Sequence, residues 1–80
     1  MKKKGLIKTL RALGIYSRLM HGKTVNKYEE AARYGVSSRS IQRDIEEIRN
    51  YLMEPDEHDG VVYEVVYCRR KDGYILEKPS

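Results

Sequence analysis

The segment Ala31 to Leu52, AARYGVSSRSIQRDIEEIRNYL, limits most severely what this chain can fold into. Ala31, Gly35 and Ile41 place a small residue, a turn residue and a core residue where two helices crossing around a tight turn need them. Gly35 can adopt a left-handed conformation without steric cost and so end the first of these helices. Val36 then reads as a buried turn residue, and Ser37 as the N-cap whose hydroxyl accepts a free N–H of the second helix. Ile41, Ile45, Ile48 and Leu52 follow at intervals of four, three and four. That spacing keeps them on one stripe, which is expected to face the core.

The opposite face of the second helix is polar. With Ile41 at zero and about 100° per residue, Gln42 falls near 100°, Arg39 near 160°, Arg43 near 200° and Ser40 on the other flank near 260°. A guanidinium can bind O6 and N7 of guanine bidentately, a glutamine amide can do the same to N6 and N7 of adenine, and serine suits bases or phosphates. Glu46 and Glu47 fall further along the same face and would repel phosphates, so only the N-terminal half is expected to enter a groove. The plainer alternative is a solvated face with Arg43 paired to Glu47, worth only ~0.3–0.5 kcal/mol. It leaves unexplained why basic and amide groups gather in the first two turns, where the helix dipole favours anionic side chains.

Eighty residues suit one small domain with a single core, so a large buried active site is not expected. No apolar run approaches a membrane span, and Met1-Lys2-Lys3-Lys4 leads into a segment that keeps taking charges, unlike a signal peptide. One cysteine, Cys68, cannot form an internal disulfide, which fits a reducing cytoplasm. The net charge of +4 is unevenly spread: residues 1–50 carry 12 Lys/Arg against 5 Asp/Glu, and residues 51–80 carry 4 against 7. The basic first half would attract a polyanion, while the acidic segment argues against a membrane surface.

In chain order, Lys2 to Lys4 read either as a disordered basic start or as a phosphate contact. Leu6, Leu10, Leu13 and Met20 give a helical stripe, widened by Ile15, Tyr16 and Leu19, with Gly14 weakening the helix or marking a close approach. Gly22 ends it, and His21 beside it reads as a surface residue favoured by the helix C-terminus. Lys23-Thr24-Val25 is expected to add a short strand, and Asn26 to Glu29 to open a helix in a capping-box variant. Pro55 and dense charge make Glu54 to Gly60 a loop; Asp56, Glu57, His58 and Asp59 are too contiguous to make a convincing metal site, so no metal is assigned. Val61 to Cys68 and Tyr74 to Leu76 read as strands joined by a cationic turn, Arg69-Arg70-Lys71-Asp72-Gly73. That tip is either a plain exposed turn or a phosphate and minor-groove contact. Cys68 reads as a strand residue, and the seven tyrosines as core or rim packing. No nucleophile or carboxylate constellation supports catalysis, so no enzyme and no cofactor are expected.

Helix, short strand, helix, turn, helix and hairpin is the order α-β-α-α-β-β of an α+β winged helix-turn-helix, with the helix-turn-helix over about 26–53 and the wing over about 61–77 in a single domain spanning 1–80. The chain resembles the N-terminal DNA-binding domains of WYL-domain transcriptional regulators, close to the DeoR-type winged helix. The resemblance rests on Ile15-Tyr16-Ser17-Arg18-Leu19 with Gly22, on Gly35 to Ile45 with its VSSRSIQRDI core, on Ile48-Arg49, and on Gly73-Tyr74-Ile75-Leu76. It implies a bacterial or phage transcription factor whose third helix enters the major groove and whose wing touches flanking backbone. The implied DNA-facing residues are Ser38, Arg39, Ser40, Gln42 and Arg43, with Arg69, Arg70 and Lys71 on the wing, and Asp44 in a structural pairing role. Two departures stand out: Glu30 occupies a position where the family usually has an apolar residue, leaving Tyr28 or Ala32 to fill the space, and Ser40 replaces a threonine.

The resemblance also implies a C-terminal ligand-sensing domain that these residues do not include. A homodimer is therefore expected to depend on that absent domain or on DNA. The expected function is sequence-specific binding of double-stranded DNA and transcription regulation, with phosphate contacts supplying affinity and Arg39, Gln42 and Arg43 reading bases. The rival is a winged-helix protein-interaction module docking on an acidic surface. RNA is disfavoured because its A-form major groove is too narrow for a helix.

Overall fold

The stripe on the third helix sets the architecture. In the computed structural model, which describes residues 2–54 and 61–77 with side chains from Lys8 onward, Ile41, Ile45, Ile48 and Leu52 are all buried along α3 (Ser38–Leu52). They meet Ile15 and Leu19 of α1 (Lys2–Met20), Val25 of the following segment and Val65 of β1 (Glu64–Cys68) in one core. Ala31 and Tyr34 of α2 (Lys27–Tyr34) close its side. Antiparallel pairing of β1 with β2 (Gly73–Glu77) completes a small α+β fold in which three helices precede a hairpin, the order of a winged helix-turn-helix.

Local chemistry places the boundaries. Asn26 Oδ1 accepts the N–H groups of Tyr28 and Glu29, both at 2.9 Å, and so caps α2. Gly35, at φ 64°, ends α2 in the left-handed region, and Ser37 Oγ accepts the Ser40 N–H at 3.2 Å to start α3. The strand expected at Lys23–Val25 contracts to a single bridge, in which Val25 and Tyr74 exchange N–H···O bonds of 2.8 and 2.7 Å. Capping by Asn26 immediately afterwards turns the chain into α2. The strand expected over Val61–Cys68 begins only at Glu64, which pairs with Glu77, because Tyr63 gives its N–H to the Leu52 carbonyl at 3.1 Å. The acidic cluster Asp56–Asp59 lies outside the described residues.

The first helix is rotated from its expected setting. Ile15 and Leu19 are fully buried, whereas Leu10, Leu13 and Met20, which lie roughly 140–220° around the helix from Ile15, are exposed. Two arginines take the inner face instead. Arg11 makes a two-point ion pair with buried Asp44 of α3, through Nε to Oδ2 and Nη2 to Oδ1 at 3.2 Å. Seven residues on, Arg18 grips buried Glu30 of α2 through Nε at 3.0 Å and through Nη2, which also donates to Tyr34 Oη at 3.1 Å. Glu30 thus fills its own position, buried and paired, while Tyr28 and Ala32 are exposed. The Asp44 hydrogen bonds raise the Arg11 pKa. For Arg18, burial alone lowers it, but Tyr34 and Glu30 together outweigh that loss, so both guanidiniums stay charged.

Removing one partner of such a pair leaves a buried charge uncompensated. Asp44→Ala is expected to cost ~3–5 kcal/mol in urea denaturation, and the double replacement Arg11→Met/Asp44→Leu less than that single change. A Cβ on Gly14 would run into the Tyr34 hydroxyl. Gly14→Ala, which in an open helix would gain about 1 kcal/mol, should therefore lower the melting temperature.

Candidate nucleic-acid interface

Arg39 and Arg43 project from the first two turns of α3 into solvent, and among the described residues neither makes an ion pair. The pairing of Arg43 with Glu47 is not formed; Glu47 lies 3.9 Å from Lys8 of α1 instead. Ser38 and Ser40 are half-buried at the start of the helix, where the Ser40 hydroxyl lies 3.2 Å from Ser37 Oγ and shares in the cap. Glu46 lies one turn beyond Gln42 and 3.5 Å from Arg49, so the outward face changes from basic to mixed charge along its length.

Gln42 is held on the wing side of the helix. Its Oε1 accepts from Lys27 Nζ at 3.3 Å and from Tyr74 Oη at 3.2 Å. Both lone pairs of that oxygen are engaged, so bidentate reading of adenine, which needs a free carbonyl, is incompatible with this arrangement. The Nε2 amide remains a donor, directed at Glu46 Oε2 at 3.4 Å. The same contacts join three elements: the N-terminus of α2 through Lys27, the middle of α3 through Gln42, and the wing through Tyr74.

The wing carries Arg69, Arg70 and Lys71, all exposed. Its turn closes through Asp72 N–H to the Arg69 carbonyl at 3.2 Å, with Asp72 at φ 54°. Asp72, not the glycine after it, therefore supplies the left-handed residue. Gly73 is required for a different reason, since a Cβ there would sit 2.6 Å from Thr24 Cγ2 and 2.8 Å from the Val25 carbonyl oxygen. Asn26 Nδ2 donates to the Asp72 carbonyl at 2.7 Å, and Tyr67 Oη donates to Asp72 Oδ1 at 2.7 Å. The only acid in the turn is thus occupied by neutral donors, and the three adjacent cations make no ion pair among the described residues.

Of the residues expected to face DNA, Arg39, Arg43, Arg69, Arg70 and Lys71 are exposed, whereas Gln42 and Ser40 are partly committed within the protein. Lys27, Asn26, Tyr67 and Tyr74 support the surface and were not singled out from the sequence for it. Asn26 carried a signal only as a cap, and the tyrosines only as packing residues. No family model matches the chain, and no curated protein or solved structure does either. Among the described residues no helix is long and apolar enough to cross a membrane.

The hydrogen bond to Asp72 raises the Tyr67 pKa above the usual tyrosine value. A phenol raised on folding stabilises the fold while protonated, so this contribution is present below the unfolded pKa and is lost as pH rises through the folded one. Ultraviolet difference titration against Tyr67→Phe should show Tyr67 ionising later than an unfolded tyrosine, and Asp72→Asn should shrink that delay.

Proposed function

We propose that the chain binds double-stranded DNA sequence-specifically and regulates transcription, with the first two turns of α3 in the major groove and the wing on the flanking backbone. The observation that carries this reading is the set of exposed cations that make no ion pair among the described residues, Arg39 and Arg43 on α3 and Arg69, Arg70 and Lys71 on the wing, two elements linked through Gln42 and Tyr74. Cations left without carboxylate partners are available to phosphates and to guanine edges. The resemblance of VSSRSIQRDI and of the wing to WYL-type regulators supports a bacterial, cytoplasmic transcription factor of DeoR type. Binding, not catalysis, is the proposed activity, and no cofactor enters it.

In this reading the wing and Lys27 neutralise phosphates and release counterions, which supplies affinity without sequence preference. Arg39 and Arg43 read bases. Gln42 acts as an amide donor, suited to guanine O6 or N7 or to thymine O4, because its carbonyl is already bound.

Fluorescence anisotropy against a randomised duplex pool at several salt concentrations, with sequencing of the retained DNA, tests the reading directly. Salt-dependent binding with an enriched motif is expected, with guanine or thymine opposite Gln42. Arg43→Ala should cost ~1–3 kcal/mol on the enriched site and relax preference at one base pair, whereas Arg70→Ala should weaken all sequences alike and flatten the salt slope by about one unit. Equal losses on enriched and random DNA for Arg43→Ala would remove its base-reading role. Absence of binding even at low salt would move the interface to an acidic protein partner.

A further inference from the structure

Gln42 is a half-buried side chain whose amide has one preferred orientation. Its Oε1 faces Lys27 Nζ at 3.3 Å and Tyr74 Oη at 3.2 Å, and its Nε2 faces Glu46 Oε2 at 3.4 Å. An ammonium can only donate and a carboxylate can only accept. Turning the amide over would set donor against donor at Lys27 and acceptor against acceptor at Glu46. A free glutamine can present its oxygen, its nitrogen or both to a base edge. Here charges on two different helices remove that choice before any ligand arrives.

We propose that Tyr74 and Lys27 are specificity-determining positioning residues: by holding the Gln42 carbonyl they restrict this side chain to donating, and so disfavour adenine at the base pair it meets. The inference rests on the DNA reading of α3 and deepens it by assigning a choice of base to side chains that contact no base in that reading. One of the two Nε2 hydrogens is directed at Glu46, which leaves the other for a base. Guanine offers adjacent O6 and N7 acceptors to a lone donor, and thymine offers O4. Adenine sets its N6 amino group beside N7, and that amino group needs the acceptor which Tyr74 and Lys27 already occupy. Tyr74 is the second residue of β2, where its backbone exchanges hydrogen bonds with Val25 and its ring packs edge to face on Tyr67 at 5.3 Å. Its hydroxyl is thus placed by the seating of the wing on the helices. The wing thereby decides one letter that the neighbouring helix reads.

Selection from a randomised duplex pool by the full chain and its variants tests this, with circular dichroism to check each fold. Gln42→Ala should erase preference at one base pair, which marks the position. Tyr74→Phe keeps the ring contact and the backbone bridge but frees one lone pair of Oε1. At the marked position adenine should then gain at least about fivefold relative to guanine or thymine. Combining Tyr74→Phe with Lys27→Met frees both lone pairs and should extend that gain, while the rest of the motif keeps its preferences. In the chain without DNA, nuclear magnetic resonance should show the Gln42 side-chain amide signals shifting in Tyr74→Phe. Unmoved amide signals, a Tyr74→Phe chain that selects the same bases, or a motif indifferent to Gln42→Ala overturns the inference and leaves the DNA reading standing. A wild-type chain that enriches no sequence overturns the DNA reading, and this inference with it.

Discussion

Two carboxylates buried beneath the first helix decide how the rest of the molecule is assembled. Asp44 and Glu30 stand on different helices, and each is met by a guanidinium from α1. Arg11 and Arg18 are seven residues apart, two turns on one side of the helix, with Ile15 and Leu19 filling the space alongside. Rotating α1 to bury Leu10 and Leu13 would gain about 1.5–3 kcal/mol for each leucine but lose about as much for each of Ile15 and Leu19, leaving little apolar gain. It would also strand both carboxylates, at about 3–5 kcal/mol apiece. The ionic cost exceeds the apolar gain, so the helix keeps its arginines inward and its leucines outward.

That choice fixes α2 and α3 relative to α1, and through them the proposed interface. α3 carries Arg39 and Arg43 outward because its opposite side is committed twice over, by the isoleucine stripe and by Asp44. The wing is located by contacts to the same helices, not by the hairpin alone. Tyr74 reaches Gln42 of α3, and Asn26 at the head of α2 holds the carbonyl of Asp72 in the turn. One residue type thereby serves two ends: Asn26 Oδ1 caps the helix while its Nδ2 secures the wing.

How legible this was in the sequence depended on whether the deciding contacts were local. The turn at Gly35-Val36-Ser37, the cap at Asn26 and the buried stripe of α3 follow from spacing and backbone preference, and each stands where the residues put it. The first helix was misread because it carries two apolar stripes, and hydropathy cannot choose between them. Its choice lies with Asp44 and Glu30, 33 and 12 residues away from the arginines they bind. Glu30 looked like a defect in an apolar position for the same reason. Gln42 looked like a free reader because its angle on the helix is correct, but an angle says nothing of Lys27 and Tyr74 closing over its carbonyl. Gly73 was recognised as a turn glycine, while its actual constraint is the backbone of Val25 pressed against it.

The anchoring of Asp72 gives the cationic tip a fixed length. Arg69, Arg70 and Lys71 span the gap between the paired end of β1 and a residue tied to the head of α2, so their reach is measured from the helices. Replacing any of the three side chains alters charge but keeps the arm's aim. Adding a single residue to the turn would put Asp72 out of register with Asn26 and convert an indexed arm into a swinging one. Variation in the tip is thus cheap in composition and expensive in length.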